Sequence, residues 1–158
     1  MKNFINLFNS LFYIGYIKFF PGTVASGISI LILFPFFYLN MVNLTIMIIL
    51  FLIILSFAIY SIDFYSKITK THDSKIIVID EFLGIFFIFL FYNKILIINN
   101  FITIILIFII FRFFDILKIF PANIIDKKIL NPFGVILDDI IASIYTIIII
   151  YLINVIIY

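Results

Sequence analysis

The amino-acid sequence predicts an all-α membrane protein, a compact polytopic bundle of about five transmembrane helices that forms a single domain over residues 1–158. Of its 158 residues, 66% are hydrophobic and 11% are charged, whereas soluble domains are nearer half apolar and a quarter charged. Several apolar runs approach the roughly 20 residues that a membrane-spanning helix needs. The sequence contains no cysteine, which excludes disulfides, thiolate catalysis and cysteine-ligated metals.

The apolar runs predict five spans, separated by polar or interrupted segments. Their expected bounds are 24–39, 44–62, 76–92, 102–117 and 133–155. Residues 4–20 are apolar but too interrupted for a span, and we expect them to lie at the interface or to re-enter it partway. The net charge of +2 gives no indication of a nucleic-acid partner, and none is predicted; the sequence defines no oligomeric state.

The basic residues predict the orientation of the bundle. With the N-terminus in the cytoplasm, eight of the ten basic side chains fall in inner segments, Lys94 falls outside, and Arg112 lies within the fourth span. This bias follows the positive-inside rule. The same topology places a set of carboxylates at the cytoplasmic interface, and such a one-sided cluster indicates a site: Asp63, Asp80, Glu81, Asp115, Asp138 and Asp139, with His72 and Asp73 in the loop before the third span.

Two acidic pairs occur in matching contexts. Asp80 and Glu81 open the third span, Asp138 and Asp139 open the fifth, and both segments read apolar, acid, acid, apolar, apolar, small. A small residue four positions after the first acid allows another helix to approach closely. Buried carboxylates require compensation, and oxygen ligands without cysteine suit Mg²⁺, Ca²⁺ or Mn²⁺. The alternative is that these acids are interfacial and solvated.

Three further features each allow two interpretations. Arg112 and Asp115 are i,i+3 neighbours that either form a structural ion pair or bind a phosphate, with the arginine as a bidentate clamp. Gly22 and Thr23 stand at a helix start whose free N–H groups can hold a phosphate, or which is a plain helix start. His72, the single histidine, is either a solvated loop residue or a catalytic group.

Taken together, three segments resemble the phosphatidylglycerophosphatase A family, in the family's order and spacing. They are Pro21-Gly22-Thr23 with Ser26; His72-Asp73 through Ile79-Asp80-Glu81-Phe82-Leu83-Gly84; and Phe111-Arg112 and Asp115 through Lys118, Pro121 and Gly134 to Leu137-Asp138-Asp139-Ile140-Ile141-Ala142. The chain departs from the family pattern at Ile119, where a proline is usual, at Asn131-Pro132, where a glycine pair is common, and at Ala25, where a glycine is usual.

The resemblance implies a multi-pass enzyme of the bacterial inner membrane with its site facing the cytoplasm. It would hydrolyse the terminal phosphomonoester of phosphatidylglycerophosphate within the lipid membrane, giving phosphatidylglycerol and phosphate, with Mg²⁺. The expected catalytic residues are Asp80, Glu81, Asp115, Asp138, Asp139 and His72. The expected phosphate-binding residues are Arg112, Lys118, Thr23 and Gly22, and the expected metal ligands are Asp80, Glu81, Asp138 and Asp139.

Other chemistries fit the sequence badly. The lack of cysteine excludes a cysteinyl phosphatase. The one histidine has no arginine near it in sequence, which does not fit a histidine phosphatase, and no aspartyl-phosphatase motif occurs. Metal-assisted hydrolysis remains, although the sequence leaves open whether an aspartate acts as nucleophile, ligand or base. The alternative function is a small transporter or channel that uses intramembrane carboxylates, yet a transport path should cross the bilayer, and these polar residues stop at the inner face. A non-catalytic membrane subunit would not need the paired acids.

The geometry of the bundle provides a direct test. We expect Asp80, Glu81, Asp115, Asp138 and Asp139 to line one pocket open to the cytoplasm, with Arg112 at its wall. Carboxylates of the third and fifth helices should lie roughly 4–8 Å apart, within reach of a shared ion.

Overall fold

The computed structural model describes residues 2–39, 41–71, 74–95, 99–129 and 131–157, and within these ranges it is helical without strands. This confirms the all-α fold class. A 3₁₀ turn, Ile14–Tyr16, follows the first helix. The helices in chain order are α1 Lys2–Asn9, α2 Pro21–Tyr38, α3 Leu44–Thr69, α4 Ile79–Leu90, α5 Tyr92–Ile95, α6 Asn100–Leu117, α7 Ala122–Lys128 and α8 Pro132–Ile157.

Four of these helices, α2, α3, α6 and α8, are long and apolar enough to cross a membrane. They have 18 or 26 residues, which corresponds to lengths of about 27 or 39 Å. They confirm four of the five predicted spans. The structure extends α3 seven residues beyond the predicted end at position 62, and an Asp63–Lys67 ion pair lies on this added, more polar part of the helix.

The third predicted span is wrong in its extent. The segment 76–92 contains α4, which has only 12 residues and, at about 18 Å, is by itself shorter than a bilayer core of about 30 Å. Nine of its 12 residues are buried, and it packs against α2, α3 and α8. Since protein rather than lipid surrounds α4, its length need not match the membrane.

The N-terminal segment is tied to the bundle by polar contacts. α1 has eight residues and lies against α3, consistent with the expectation that residues 4–20 do not span. The buried Asn9 side chain donates to the Ser61 carbonyl at 3.2 Å and accepts from its hydroxyl at 2.6 Å. The Asn9 carbonyl accepts the N–H of Val78, directly before α4, at 2.9 Å. α1 therefore helps to fix where α4 begins.

α4 and α8 make a close helix contact, as the small residue of the first acidic motif predicts. The Ser143 hydroxyl donates to the Gly84 carbonyl at 2.8 Å and to the Asp139 carbonyl at 2.7 Å. A Cβ at Gly84 would lie 2.8 Å from the Phe111 ring and 3.1 Å from the Ser143 hydroxyl. A larger residue there would have to displace Phe111, and the Ser143–Gly84 hydrogen bond holds the two acid-bearing helices together.

Candidate active site

A cavity of about 490 Å³ opens at one end of the bundle. It is formed where α2, α4 and α8 begin and α6 ends, so that four separate chain segments contribute to it. Its polar and charged lining comprises Lys18, Ser74, Lys75, Asp80, Glu81, Arg112, Asp115, Lys118, Asn131, Asp138 and Asp139. The five carboxylates and Arg112 therefore line one cavity.

Three carboxylates meet on the cavity floor. One ligand oxygen from each of Asp80, Glu81 and Asp139 lies within 4.8 Å of the others. The separation between carboxylates of α4 and α8 is therefore within the range predicted for ligands of a shared ion. Asp80 and Asp139 are buried, and repulsion between buried like charges is costly without a cation.

Unpaired oxygens identify the floor as a place where a cation fits. Oε2 of Glu81 and Oδ1 of Asp139 are buried and have no hydrogen-bond partner within the described ranges. Buried polar atoms normally have partners, and carboxylate oxygens are the ligands that hard divalent cations prefer. The acidic cluster can thus hold a metal ion.

Arg112 forms the wall beside these acids. Its Nη1 donates to the Asp115 carboxylate, one helical turn away, and to the Ser26 hydroxyl at 3.5 Å. The same nitrogen lies 3.8 Å from Oε1 of Glu81. Its Nε is buried without a partner in the described part of the chain. The guanidinium is therefore held in place, and Nε is a buried donor whose hydrogen bond is not made within the described residues.

The second acidic pair divides between two environments. Asp139 joins the floor cluster, whereas Asp138, the fourth expected metal ligand, lies outside that cluster and forms an ion pair of 2.7 Å with Lys118. Lys118 adopts a left-handed conformation at the end of α6, with φ 43°, which turns its side chain back toward α8. The structure thus places Lys118 in the cavity by a contact that the sequence does not reveal.

The start of α2 closes the cavity on a third side. Pro21 and Gly22 occupy the first turn of the helix, and both line the cavity, whereas Thr23 is not among the described lining residues. The Ser26 hydroxyl donates to the Gly22 carbonyl at 2.8 Å. Of the two residues expected to bind phosphate at this helix start, Gly22 lines the cavity and Thr23 is not among the described lining residues. His72 lies outside the described residues.

Sequence reasoning did not identify several lining residues. Lys18, Ser74, Lys75 and Asn131 line the cavity from loops. Lys18 and Lys75 precede the starts of α2 and α4. Their closeness in sequence to those helix starts was the signal that could have placed them at the site. Neither residue belongs to a periodic pattern, so only the tertiary fold shows that they reach the site.

The Gly22 position predicts a specific loss of activity. A Cβ there would overlap Oε1 of Glu81 and lie 3.2 Å from Nη1 of Arg112. We expect Gly22→Ala to reduce turnover about 10–100-fold, because small displacements of catalytic groups have effects of this size. On the same helix, Gly27→Ala is the matched control, since its Cβ would lie 3.7 Å from the Phe108 ring, an ordinary contact. Equal activity of the two variants in a phosphate-release assay would contradict the prediction.

Comparison with known proteins agrees with this geometry. The phosphatidylglycerophosphatase A family model matches residues 7–154. The chain is 37% identical over 83 residues to phosphatidylglycerophosphatase A of Haemophilus influenzae, an alignment that covers 52% of this chain and 48% of that relative. The match therefore spans about half the length of the curated relative. No solved structure matches the chain. Because the family model covers nearly the whole chain, including every helix that lines the cavity, the chain belongs to the phosphatidylglycerophosphatase A family.

Proposed function

We propose that this chain is a membrane-embedded lipid phosphatase that hydrolyses the terminal phosphomonoester of phosphatidylglycerophosphate to phosphatidylglycerol and phosphate. Family membership and the name of the Haemophilus influenzae relative support the substrate. The four apolar helices support a membrane location, and a lipid substrate lies in the membrane.

One observation carries the proposal: buried acceptors and a buried donor lie unpaired in the same cavity. Oε2 of Glu81 and Oδ1 of Asp139 require a cation or donor, whereas Nε of Arg112 requires an acceptor, and within the described ranges none has a partner. A phosphate together with a divalent cation satisfies both needs, because the cation meets the carboxylates and the phosphate oxygens meet the arginine. A cation alone would leave the arginine donor unpaired.

The chain's own residues account for binding of the phosphate. Arg112 binds the phosphate oxygens, and its contacts with Asp115 and Ser26 fix the guanidinium before substrate arrives. Lys118 places a second cationic side chain at the cavity wall, where it pairs with Asp138. Water attacks phosphorus and the bond to the glycerol oxygen breaks; a carboxylate of the cavity accepts the water proton, and a proton is delivered to the departing glycerol oxygen to give the alcohol. Phosphate monoesters hydrolyse very slowly without catalysis, so this preorganised charge is required.

The metal of the proposal is Mg²⁺, held by Asp80, Glu81 and Asp139. The unpaired oxygens of Glu81 and Asp139 and the all-oxygen donor set fit this ion. When bound, a divalent cation supplies positive charge that stabilises the phosphoryl group in the transition state. Asp138 is not required as a direct ligand, since Lys118 already compensates its charge.

The proposal is tested with the purified protein in detergent micelles. We expect phosphate release from phosphatidylglycerophosphate with Mg²⁺, and none from the variant Asp139→Asn. The matched control is Asp63→Asn, because Asp63 pairs with Lys67 on the surface of α3, away from the cavity. If the wild type releases no phosphate but carries ions across liposome membranes, the transporter alternative replaces the phosphatase.

The proposal includes the cytoplasmic face of a bacterial inner membrane as the location of the cavity. The lysine bias of the sequence supports this orientation. Because the chain has no cysteine, single cysteines introduced at positions 72, 94 and 127 serve as reporters in cells. We expect a membrane-impermeant thiol reagent added outside to label position 94 alone. Labelling of 72 but not 94 would reverse the orientation.

A further inference from the structure

Two lysines at the cavity wall take no part in the reaction proposed above. Lys18 precedes α2 and Lys75 precedes α4, both side chains are exposed, and both line the cavity. In the part of the chain that the structure describes, neither forms an ion pair with a carboxylate. By contrast, Lys118 and Arg112 in the same cavity are both paired with aspartates. The positive charges of Lys18 and Lys75 are therefore not offset by a carboxylate of the described residues and can bind an anion.

The loops that carry these lysines are in direct contact. A Cβ on Gly15 would overlap the carbonyl oxygen of Ile76, so the chain three residues before Lys18 lies against the residue next to Lys75. The Asn9 carbonyl accepts the Val78 N–H at 2.9 Å, which anchors the second loop to the N-terminal segment. The fold therefore holds the two lysine-bearing loops side by side.

The same edge of the cavity is suited to lipid. Phe19 and Phe20 also line it and are 70% and 77% exposed. The Lys18 ammonium lies 5.8 Å from the centre of the Phe19 ring. Exposed phenylalanines beside lysines combine apolar and cationic side chains, as surfaces at the boundary between lipid headgroups and acyl chains do. The edge formed by Lys18, Phe19, Phe20 and Lys75 is called the rim below.

We propose that the rim is a second phosphate subsite, in which Lys18 and Lys75 bind the phosphodiester of the lipid substrate. The inference rests on the proposed function, since phosphatidylglycerophosphate carries a monoester and a diester phosphate joined by one glycerol. The monoester enters the floor beside Arg112, the diester meets the two lysines at the rim, and the acyl chains leave past Phe19 and Phe20. The rim thus makes the enzyme selective for lipids with two phosphates over lipids with one.

The test compares Lys18→Gln/Lys75→Gln with the charge-matched control Lys70→Gln/Lys128→Gln, whose lysines are exposed and are not among the lining residues. Assays use neutral detergent micelles, which removes any effect of an anionic membrane surface. For the rim variant we expect kcat/KM on phosphatidylglycerophosphate to fall about 10-fold or more, mainly through KM, as expected for losing charged hydrogen bonds. The control should change less than about twofold.

Inorganic phosphate distinguishes the rim from the floor. As a competitive inhibitor it fits the monoester site alone, so its inhibition constant should be the same in wild type and rim variant. Turnover of phosphatidic acid, which has one phosphate, should likewise be unaffected where it is measurable. Weaker inhibition by inorganic phosphate in the rim variant, or an unchanged KM for phosphatidylglycerophosphate, would overturn the subsite. A wild-type protein that releases no phosphate from any lipid would instead refute the proposed function.

Discussion

Removing divalent cations is expected to abolish phosphate release, and adding Mg²⁺ back should restore it. The reason lies in the floor cluster, where ligand oxygens of Asp80, Glu81 and Asp139 come within 4.8 Å of one another. Without a cation, these carboxylates repel one another and any incoming phosphate. With it, their charge is offset and the floor accepts an anion. Full turnover in excess chelator would eliminate the metal mechanism.

A binding measurement makes this prediction independent of catalysis. Mn²⁺ binding followed by electron paramagnetic resonance should be at least about 100-fold weaker in Glu81→Gln/Asp139→Asn, since even outer-shell changes weaken metal sites 10–100-fold. The surface variant Asp63→Asn should bind Mn²⁺ like the wild type. The two oxygens that lack partners, Oε2 of Glu81 and Oδ1 of Asp139, are both altered in the double variant. Unchanged binding there would show that the floor is not the metal site.

The sequence predicts the site better than it predicts the lengths of the helices. The motif of two acids followed by a small residue predicted that the acidic pairs of α4 and α8 face each other, because i,i+4 spacing on a helix is a local property. It singled out Asp80 and Asp138, whereas in the structure Asp139 joins Asp80. Gly84 fulfils its predicted role, since a Cβ would lie 2.8 Å from Phe111. Local spacing also paired Arg112 with Asp115. Each of these predictions depends on residues within one turn of one another, plus one helix–helix contact.

Features that depend on long-range contacts were not predictable in the same way. Hydrophobicity cannot distinguish a helix buried in protein from one surrounded by lipid, so the predicted span 76–92 is longer than α4, which has 12 residues. Lys118 was expected to bind phosphate and Asp138 to bind a metal ion. In the structure the two side chains form an ion pair, with Nζ of Lys118 2.7 Å from Oδ2 of Asp138. Lys18 and Lys75 reach the cavity through loops, whose paths follow from tertiary packing alone.

Replacing Arg112 with lysine is expected to remove most activity, about 100-fold or more, while the protein still folds and inserts. A guanidinium offers several donors in a planar fork, whereas an ammonium is a point charge that cannot reproduce that geometry. In this cavity Nη1 is already committed to Asp115 and Ser26, and Nε is buried without a described partner. A lysine can replace the contact with Asp115 or bind the phosphate, but it cannot do both. Loss of one preorganised charge contact of this kind costs roughly 10²–10³ in kcat.

Two further measurements separate this role from a structural ion pair. Thermal unfolding in detergent should change little in Arg112→Lys, because positive charge beside Asp115 is retained. Asp115→Asn, which frees the guanidinium from its carboxylate, should reduce activity less than Arg112→Lys, since the phosphate-binding donors remain. If Arg112→Lys turns over substrate normally, the arginine serves only to neutralise Asp115 and Glu81, and the phosphate must bind elsewhere in the cavity. If both variants lose activity and unfold together, the pair is structural and the arginine clamp is refuted.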